Sequence, residues 1–327
     1  MPRLTVVLLL LPAILQAQED STPPRGEAGH WHIGLTYHDY GITIGNAART
    51  HGLRINAVDD GLELVNGINL TLWRPREPLS GTVNGLAVGL APGADNLNGI
   101  AIGLAAVVAE QRSRWITVGG LAAVSNGKLE GLAVSTLATV SNRDIDGIAV
   151  AGLGTVANRD LTGIGLGGLA TVANGSLTGF SFGGLATVTN RDLTGIGVGG
   201  LATVANGNTT GFSFGGLASV TNGSLQGVGL SALAVVANEQ LRGIGIAGYT
   251  VDSRSIHGWS TALYVKTREL RGVSIGAYNR VRGLQAGLSI GIYNSARVLH
   301  GLQLGVLNRA QNNRGIWRML PLVNAHF

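Results

Sequence analysis

Two serines are the first residues in this chain that look able to do chemistry. Gly179-Phe-Ser181-Phe-Gly183 and Gly211-Phe-Ser213-Phe-Gly215 both match the Gly-x-Ser-x-Gly pattern. That pattern activates a hydroxyl when a sharp strand-to-helix turn lifts it toward a histidine and an acid. Neither copy has a histidine nearby, and both lie within alternating apolar runs that read as the middle of a strand. Gly195-Ile-Gly-Val-Gly-Gly200 and Gly243-Ile-Gly-Ile-Ala-Gly248 fit the dinucleotide fingerprint, whose glycines cradle a pyrophosphate only where a helix begins. No helical pattern follows either one. His30-Trp31-His32, with His38 and Asp39 close behind, is compatible with a metal, because residues 30 and 32 share one face of a strand. The plainer reading is an exposed first strand. Asn174-Gly-Ser176, Asn208-Thr-Thr210 and Asn222-Gly-Ser224 match the glycosylation sequon and read as turns. No catalytic, cofactor-binding or metal-ligating residue is assigned.

The elements that would have to position such groups belong to a repeat. Gly131, Gly147, Gly163, Gly179, Gly195, Gly211, Gly227 and Gly243 stand sixteen residues apart, and asparagines from Asn126 to Asn238 keep the same step. One short copy cannot bury its apolar side alone and needs its neighbours. Degenerate copies precede the array at Gly85 and Gly99, and Trp115 holds the glycine position of a third. After Gly243 the step shortens through Gly258, Gly272, Gly283 and Gly301. Glycine with Val, Thr, Ile and Phe disfavours helix. Arg143-Asp144, Arg159-Asp160 and Arg191-Asp192 leave apolar runs too short for membrane helices.

Upstream of the array, His32 to Tyr37, Gly41 to Gly45 and Gly67 to Trp73 read as strands, with a loop at Arg74-Pro-Arg-Glu-Pro78. Residues 1–17 carry Arg3, an apolar run from Val6 to Leu15 and a Leu15-Gln16-Ala17 cleavage site, which together read as a secretory signal peptide. Residues 18–29 read as a flexible leader, and 30–327 as a single repetitive β-domain with its regular repeats at about 115–250. The chain has no cysteine, so it can form neither a disulfide framework nor a thiolate metal site. Charged residues make up only 13% of it, about half the usual share.

Taken as a strand, residues 162–173 place Ile164, Leu166, Gly168, Ala170 and Val172 on one side. Gly163, Gly165, Gly167, Leu169, Thr171 and Ala173 fall on the other. One face is apolar, the other small or weakly polar, and the charges sit in the turns. A thirty-two-residue period overlies the first, since Phe180 and Phe182 recur at Phe212 and Phe214 and Asn-Arg-Asp turns alternate with Asn-Gly turns. Twelve residues at ~3.4 Å, tilted by ~45°, span roughly 28 Å, a bilayer's hydrocarbon thickness. These features predict an all-β antiparallel meander closed as an outer-membrane barrel of about twenty strands. Such a barrel would have a structural or pore-like role and no enzymatic one. The alternative is a β-solenoid of sixteen-residue coils with asparagines stacked along one edge, exported and acting as a surface binding or adhesion module.

From Asp252 to Phe327 there are ten Arg or Lys against two acids, with Tyr264, Tyr278, Tyr293 and Trp317 among them. The plain reading of that balance is a charged rim; as a partner it points to phosphate-bearing envelope lipid, including lipopolysaccharide, or to polysaccharide, rather than to nucleic acid. The same region carries Gly283-Leu-Gln-Ala-Gly-Leu288, Gly287-Leu-Ser-Ile-Gly-Ile-Tyr-Asn294, Gly301-Leu-Gln-Leu-Gly-Val-Leu-Asn308 and a closing Leu320-Pro-Leu-Val-Asn-Ala-His-Phe327. These units resemble the surface-repeat family of bacterial envelope proteins built on Gly-Leu-Gln-x-Gly-Leu-x-Asn. The likeness is good over residues 270–327 and loose over the central array. It implies an exported, envelope-associated protein of unassigned activity, and it transfers no functional residue.

Overall fold

A computed structural model describes residues 32–327. The expected signal peptide at 1–17, the expected leader at 18–29, His30 and Trp31 lie outside the described residues. The described residues are 73% strand and wind into a β-solenoid of about 15 coils of ~16 residues. Each coil pairs with the next in parallel and in register, so Leu161–Gly167 lies on Leu177–Gly183 with Leu161 opposite Leu177, and Ala170–Ala173 lies on Ala186–Thr189. The barrel is therefore corrected to the solenoid. A meander would set neighbouring repeats antiparallel, and antiparallel pairing occurs only at the ends of the described chain. There His32–Tyr37 pairs with Tyr40–Gly45, and Met319–His326 folds back on residues 301–309.

The coil at Leu161 explains the outcome. A single strand from 162 to 173 does not form, because Gly168 and Leu169 turn the chain between a seven-residue and a four-residue strand. A second bend falls at Gly163, whose φ is 114°. Gly179 stacks directly on it with a φ of 117°. A Cβ added at Gly179 would lie 2.1 Å from the Gly163 carbonyl oxygen, so both the left-handed backbone and the space demand glycine. The backbone ladder continues around the corners, with Leu169 N donating to Leu153 O at 2.7 Å and Asn174 N to Ala157 O at 2.9 Å.

Leu161, Gly165, Gly167, Thr171 and Ala173 point inward, while Ile164, Leu166, Leu169, Ala170 and Val172 point out. The interior thus holds one large side chain per coil: Leu129, Ile145, Leu161, Leu177 and Leu193 form a fully buried column. Everything around that column must be small. At Gly165 a Cβ would meet Leu161 Cδ1 at 2.8 Å and Thr171 Cγ2 at 3.0 Å.

The asparagine corner supplies side-chain stacking. Asn142 Nδ2 donates to Asn126 Oδ1 at 3.0 Å, and the row runs unbroken to Asn238, which donates to Asn222 Oδ1 at 2.9 Å. The thirty-two-residue period also originates here. Asp160 Oδ1 accepts from Ser176 N at 2.7 Å, and a Cβ on Gly175 would lie 2.1 Å from that same oxygen. Asp192 stands likewise against Gly207 and Asn208. The Asn-Arg-Asp corners at Asp160 and Asp192 are thus each followed by an Asn-Gly corner on the next coil.

Gly179→Ala is expected to lower stability by about 2–4 kcal/mol through backbone overlap and positive φ. Trp115, which sits in the same column at φ 87°, gives the converse. Trp115→Gly is expected to leave the melting temperature unchanged or raise it. Thermal unfolding followed by far-UV circular dichroism measures both.

Candidate functional surfaces

The small interior leaves large apolar side chains no place but outside. Two outward columns run up the long strands, one residue apart from the inward glycines. The first passes Ile42, Leu53, Ile68, Leu86, Ile100 and Ile116, then Leu132, Ile148, Ile164, Phe180 and Ile196, and continues through Phe212, Val228 and Ile244 to Trp259, Val273 and Leu288. The second lies two residues further along each strand, through Val150, Leu166, Phe182, Val198 and Phe214. A third row, from Leu121 to Leu233 and Tyr249, stands at the Gly-Leu turn, with Leu169 47% exposed. Neighbouring coils lie ~4.8 Å apart, so about fifteen of them make a stripe roughly 70 Å long.

The short-strand side of the coil is different. In the regular array it shows Ala170, Val172 and then the asparagine row. In the last coils the alanine position becomes Tyr264, Tyr278 and Tyr293, with ring centroids 6.4 and 6.3 Å apart and planes tilted by 44° and 50°. The next outward position carries Asp252, Lys266 and Arg280 in register. Beyond it Arg268 stacks on Arg254, its N donating to Arg254 O at 3.0 Å. Arg280, Arg282, Arg297 and Arg309 line a groove of ≈ 380 Å³ with the three tyrosines. Arg254, Lys266, Arg268 and Arg282 line an adjoining one of ≈ 250 Å³. Lys266 pairs with Asp252 at 2.8 Å. Among the described residues no carboxylate pairs with Arg254, Arg268, Arg280, Arg282, Arg297 or Arg309. The structure thus gathers Tyr264, Tyr278 and Tyr293 with the arginines. Trp317 lies apart, exposed in the 3-10 turn Gly315–Arg318.

Beneath this side the repeat's polar signature is internal. Asn279 Nδ2 donates to Asn294 Oδ1 at 2.8 Å, Asn294 to Asn308 at 2.7 Å, and Gln303 to Gln285 at 2.8 Å, all buried. The Gln and Asn of the Gly-Leu-Gln-x-Gly-Leu-x-Asn units therefore hold coils together from inside.

The motif serines fall where the strand reading placed them. Ser181 is buried mid-strand with Oγ 3.4 Å from Ile196 O, and Ser213 Oγ lies 2.7 Å from Ser219 Oγ. The two glycine fingerprints likewise lie in strands that lead into further turns and strands. His38 and Asp39 make the first hairpin turn with φ of 50° and 65°. Sequence reading missed a buried cluster around Arg54 and Asp59, which pair directly. Asp59 Oδ2 also accepts from Thr71 Oγ1 at 2.6 Å and Asn69 Nδ2 at 3.1 Å, and Arg54 Nη2 donates to Asn46 Oδ1 at 2.8 Å. Its only sequence signal was Arg54 and Asn69 at strand positions that are small in later coils. With its lone pairs already taken and no access to solvent, this cluster ties the first coils together and is not a site.

On the long-strand side, Glu130 stacks on Asp146. Lys128 bridges the two, contacting Asp146 and lying 3.3 Å from Glu130. Its hydrogen bond to Asp146 chiefly holds its pKa above the ordinary lysine value, against desolvation.

Comparison with protein-family models, curated proteins and solved structures returns no significant match.

Arg54→Met is expected to cost about 3–5 kcal/mol, because it strands a buried carboxylate. Adding Asp59→Leu should recover part of that loss in chemical denaturation. For Lys128 a raised folded-state pKa means its stabilisation is present below the unfolded value and is lost as pH rises through the folded one. The melting-temperature gap between wild type and Lys128→Met should hold through neutral pH and close only above pH 10.5.

Proposed function

We propose that this protein is a non-enzymatic, exported β-solenoid that acts as a binding module at a bacterial cell envelope. It would lie with its long apolar stripe on envelope lipid and its asparagine and arginine corner facing away. The outward stripe is the observation that carries the reading. At roughly 70 Å by ~14 Å, two side-chain columns wide, it covers on the order of 1,000 Å². Monomers in water usually show a largest patch of about 300–600 Å². The columns carry no charge from Leu132 to Ile246, which suits an acyl surface. The array's charges are gathered mostly at the asparagine corner, in pairs of opposite sign such as Arg159 and Asp144. The resemblance of residues 270–327 to envelope surface-repeat proteins agrees with this address.

Flotation of the purified chain with phospholipid vesicles tests the proposal. Wild type should float. Leu166→Ser/Phe182→Ser/Val198→Ser, which alters only outward positions, should stay at the bottom of the gradient with an unchanged melting temperature. Wild type that does not float, or that buries the stripe in a stable dimer by light scattering, would overturn the lipid assignment.

A further inference from the structure

The arginine row near the C-terminus has no internal explanation. Six arginines and Lys266 stand on one side of the last coils with a single facing acid, Asp252. In-register coils repeat every ~4.8 Å, so the side chains of Arg254 and Arg268 are held at about that interval. Like charges stacked this closely destabilise a sheet. Elsewhere stacked like charges have a counter-charge within reach: Arg159, whose N donates to Arg143 O, pairs with Asp144, and Lys128 opposite Arg112 pairs with Glu130 and Asp146. The stacked acids Glu130 and Asp146 receive Lys128 and Arg114, and the row that Arg254 continues carries neutral asparagines bonded to one another. The tyrosine row alongside is the second observation. Tyr264, Tyr278 and Tyr293 replace the alanines of the array only where the arginines replace the asparagines, and the two rows share one groove.

We propose that this groove binds a linear acidic polysaccharide, with carboxylate-bearing sugars running along the solenoid axis. Guanidinium forks pair with carboxylates in bidentate fashion. One sugar of an extended glycan is about as long as the spacing between coils, so successive carboxylates meet successive arginines. Tyr278, exposed between the half-buried Tyr264 and Tyr293, offers ring surface to the apolar faces of the sugars, as amphipathic aromatic side chains do at interfaces. Duplex nucleic acid fits poorly, because its phosphates wind around an axis and a straight row of cations meets few of them. Single strands gain affinity from bases stacked on aromatic platforms. Here the rings lean on one another at 44° and 50° and leave no slot between them.

The inference rests on reading the protein as a binding module but not on its lipid contact, and its test omits lipid. The purified full chain is titrated with polygalacturonate, with its fully methyl-esterified form, and with oligothymidine of equal charge. Polygalacturonate should bind, increasingly weakly as salt rises, and the ester should not. Arg268→Gln/Arg282→Gln should weaken binding at least tenfold, since each charged hydrogen bond lost is worth about one decade. Tyr278→Ala should weaken it several-fold. Arg143→Gln, far along the chain, should change nothing. Removing stacked like charges should leave the melting temperature of the double variant equal or higher. If that variant melts lower, Arg297→Gln at an exposed position of the same groove reads out the same loss. No binding of polygalacturonate at low salt, equal binding of its ester, tighter binding of oligothymidine, or equal loss in Arg143→Gln would each overturn the proposal.

Discussion

Everything in this structure depends on how closely one coil lies on the next at the glycine column. Gly163 and Gly179 approach until a methyl group on the second would overlap the carbonyl oxygen of the first. This contact recurs from Gly131 to Gly243. It fixes the in-register parallel stacking, and the stacking brings each residue type over its own kind. Asparagines then bond into a row, leucines form a buried column, and any charge that recurs must find a counter-charge or an external partner.

The narrow coil also reverses the usual distribution of apolar bulk. In most coils one leucine or isoleucine fills the interior, with Ser113 and Thr209 taking the same position in theirs, so the remaining large apolar residues are carried outside. Toward the C-terminus the coils shorten to fourteen or fifteen residues. There the interior adds Asn and Gln ladders, and the short-strand side exchanges Ala, Val and Asn for Tyr, Lys and Arg. Apolar stripe and cationic groove are thus products of a single coil plan, placed on different sides of it by the Gly-Leu turn. A solenoid with two unlike faces can bridge two unlike surfaces, and this is the physical content of the binding role proposed above.

Much of this was legible in the residues themselves. The first two strands, the loop after Trp73 and the alternation around Leu166 fall where the pattern put them. Ser181 and Ser213 lie mid-strand, as the alternating apolar runs around them implied. The direction of the alternation was not legible. An apolar face and a small face are equally consistent with a lipid-coated barrel and with a solenoid turned apolar side out, because a twofold period records sides and not which side is inner. The thirty-two-residue period pointed to a meander only because Asn-Gly favours hairpins. Its actual origin, Asp160 reaching the next coil's Ser176 over Gly175, is a contact between residues sixteen apart that no local turn rule contains. The Arg54 cluster was hidden for a similar reason: its partners converge from separate coils.

The most direct test of this account is which face of the repeat meets water. The chain has no cysteine, so single cysteines report cleanly. Val172 points outward and Thr171 is fully buried in the same short strand. The rate at which a water-soluble maleimide labels Val172→Cys and Thr171→Cys in the folded protein separates the possibilities. The solenoid predicts fast labelling at 172 and protection at 171 until the chain is denatured. Fast labelling at 171 with protection at 172, as a water-filled barrel in lipid would give, contradicts it.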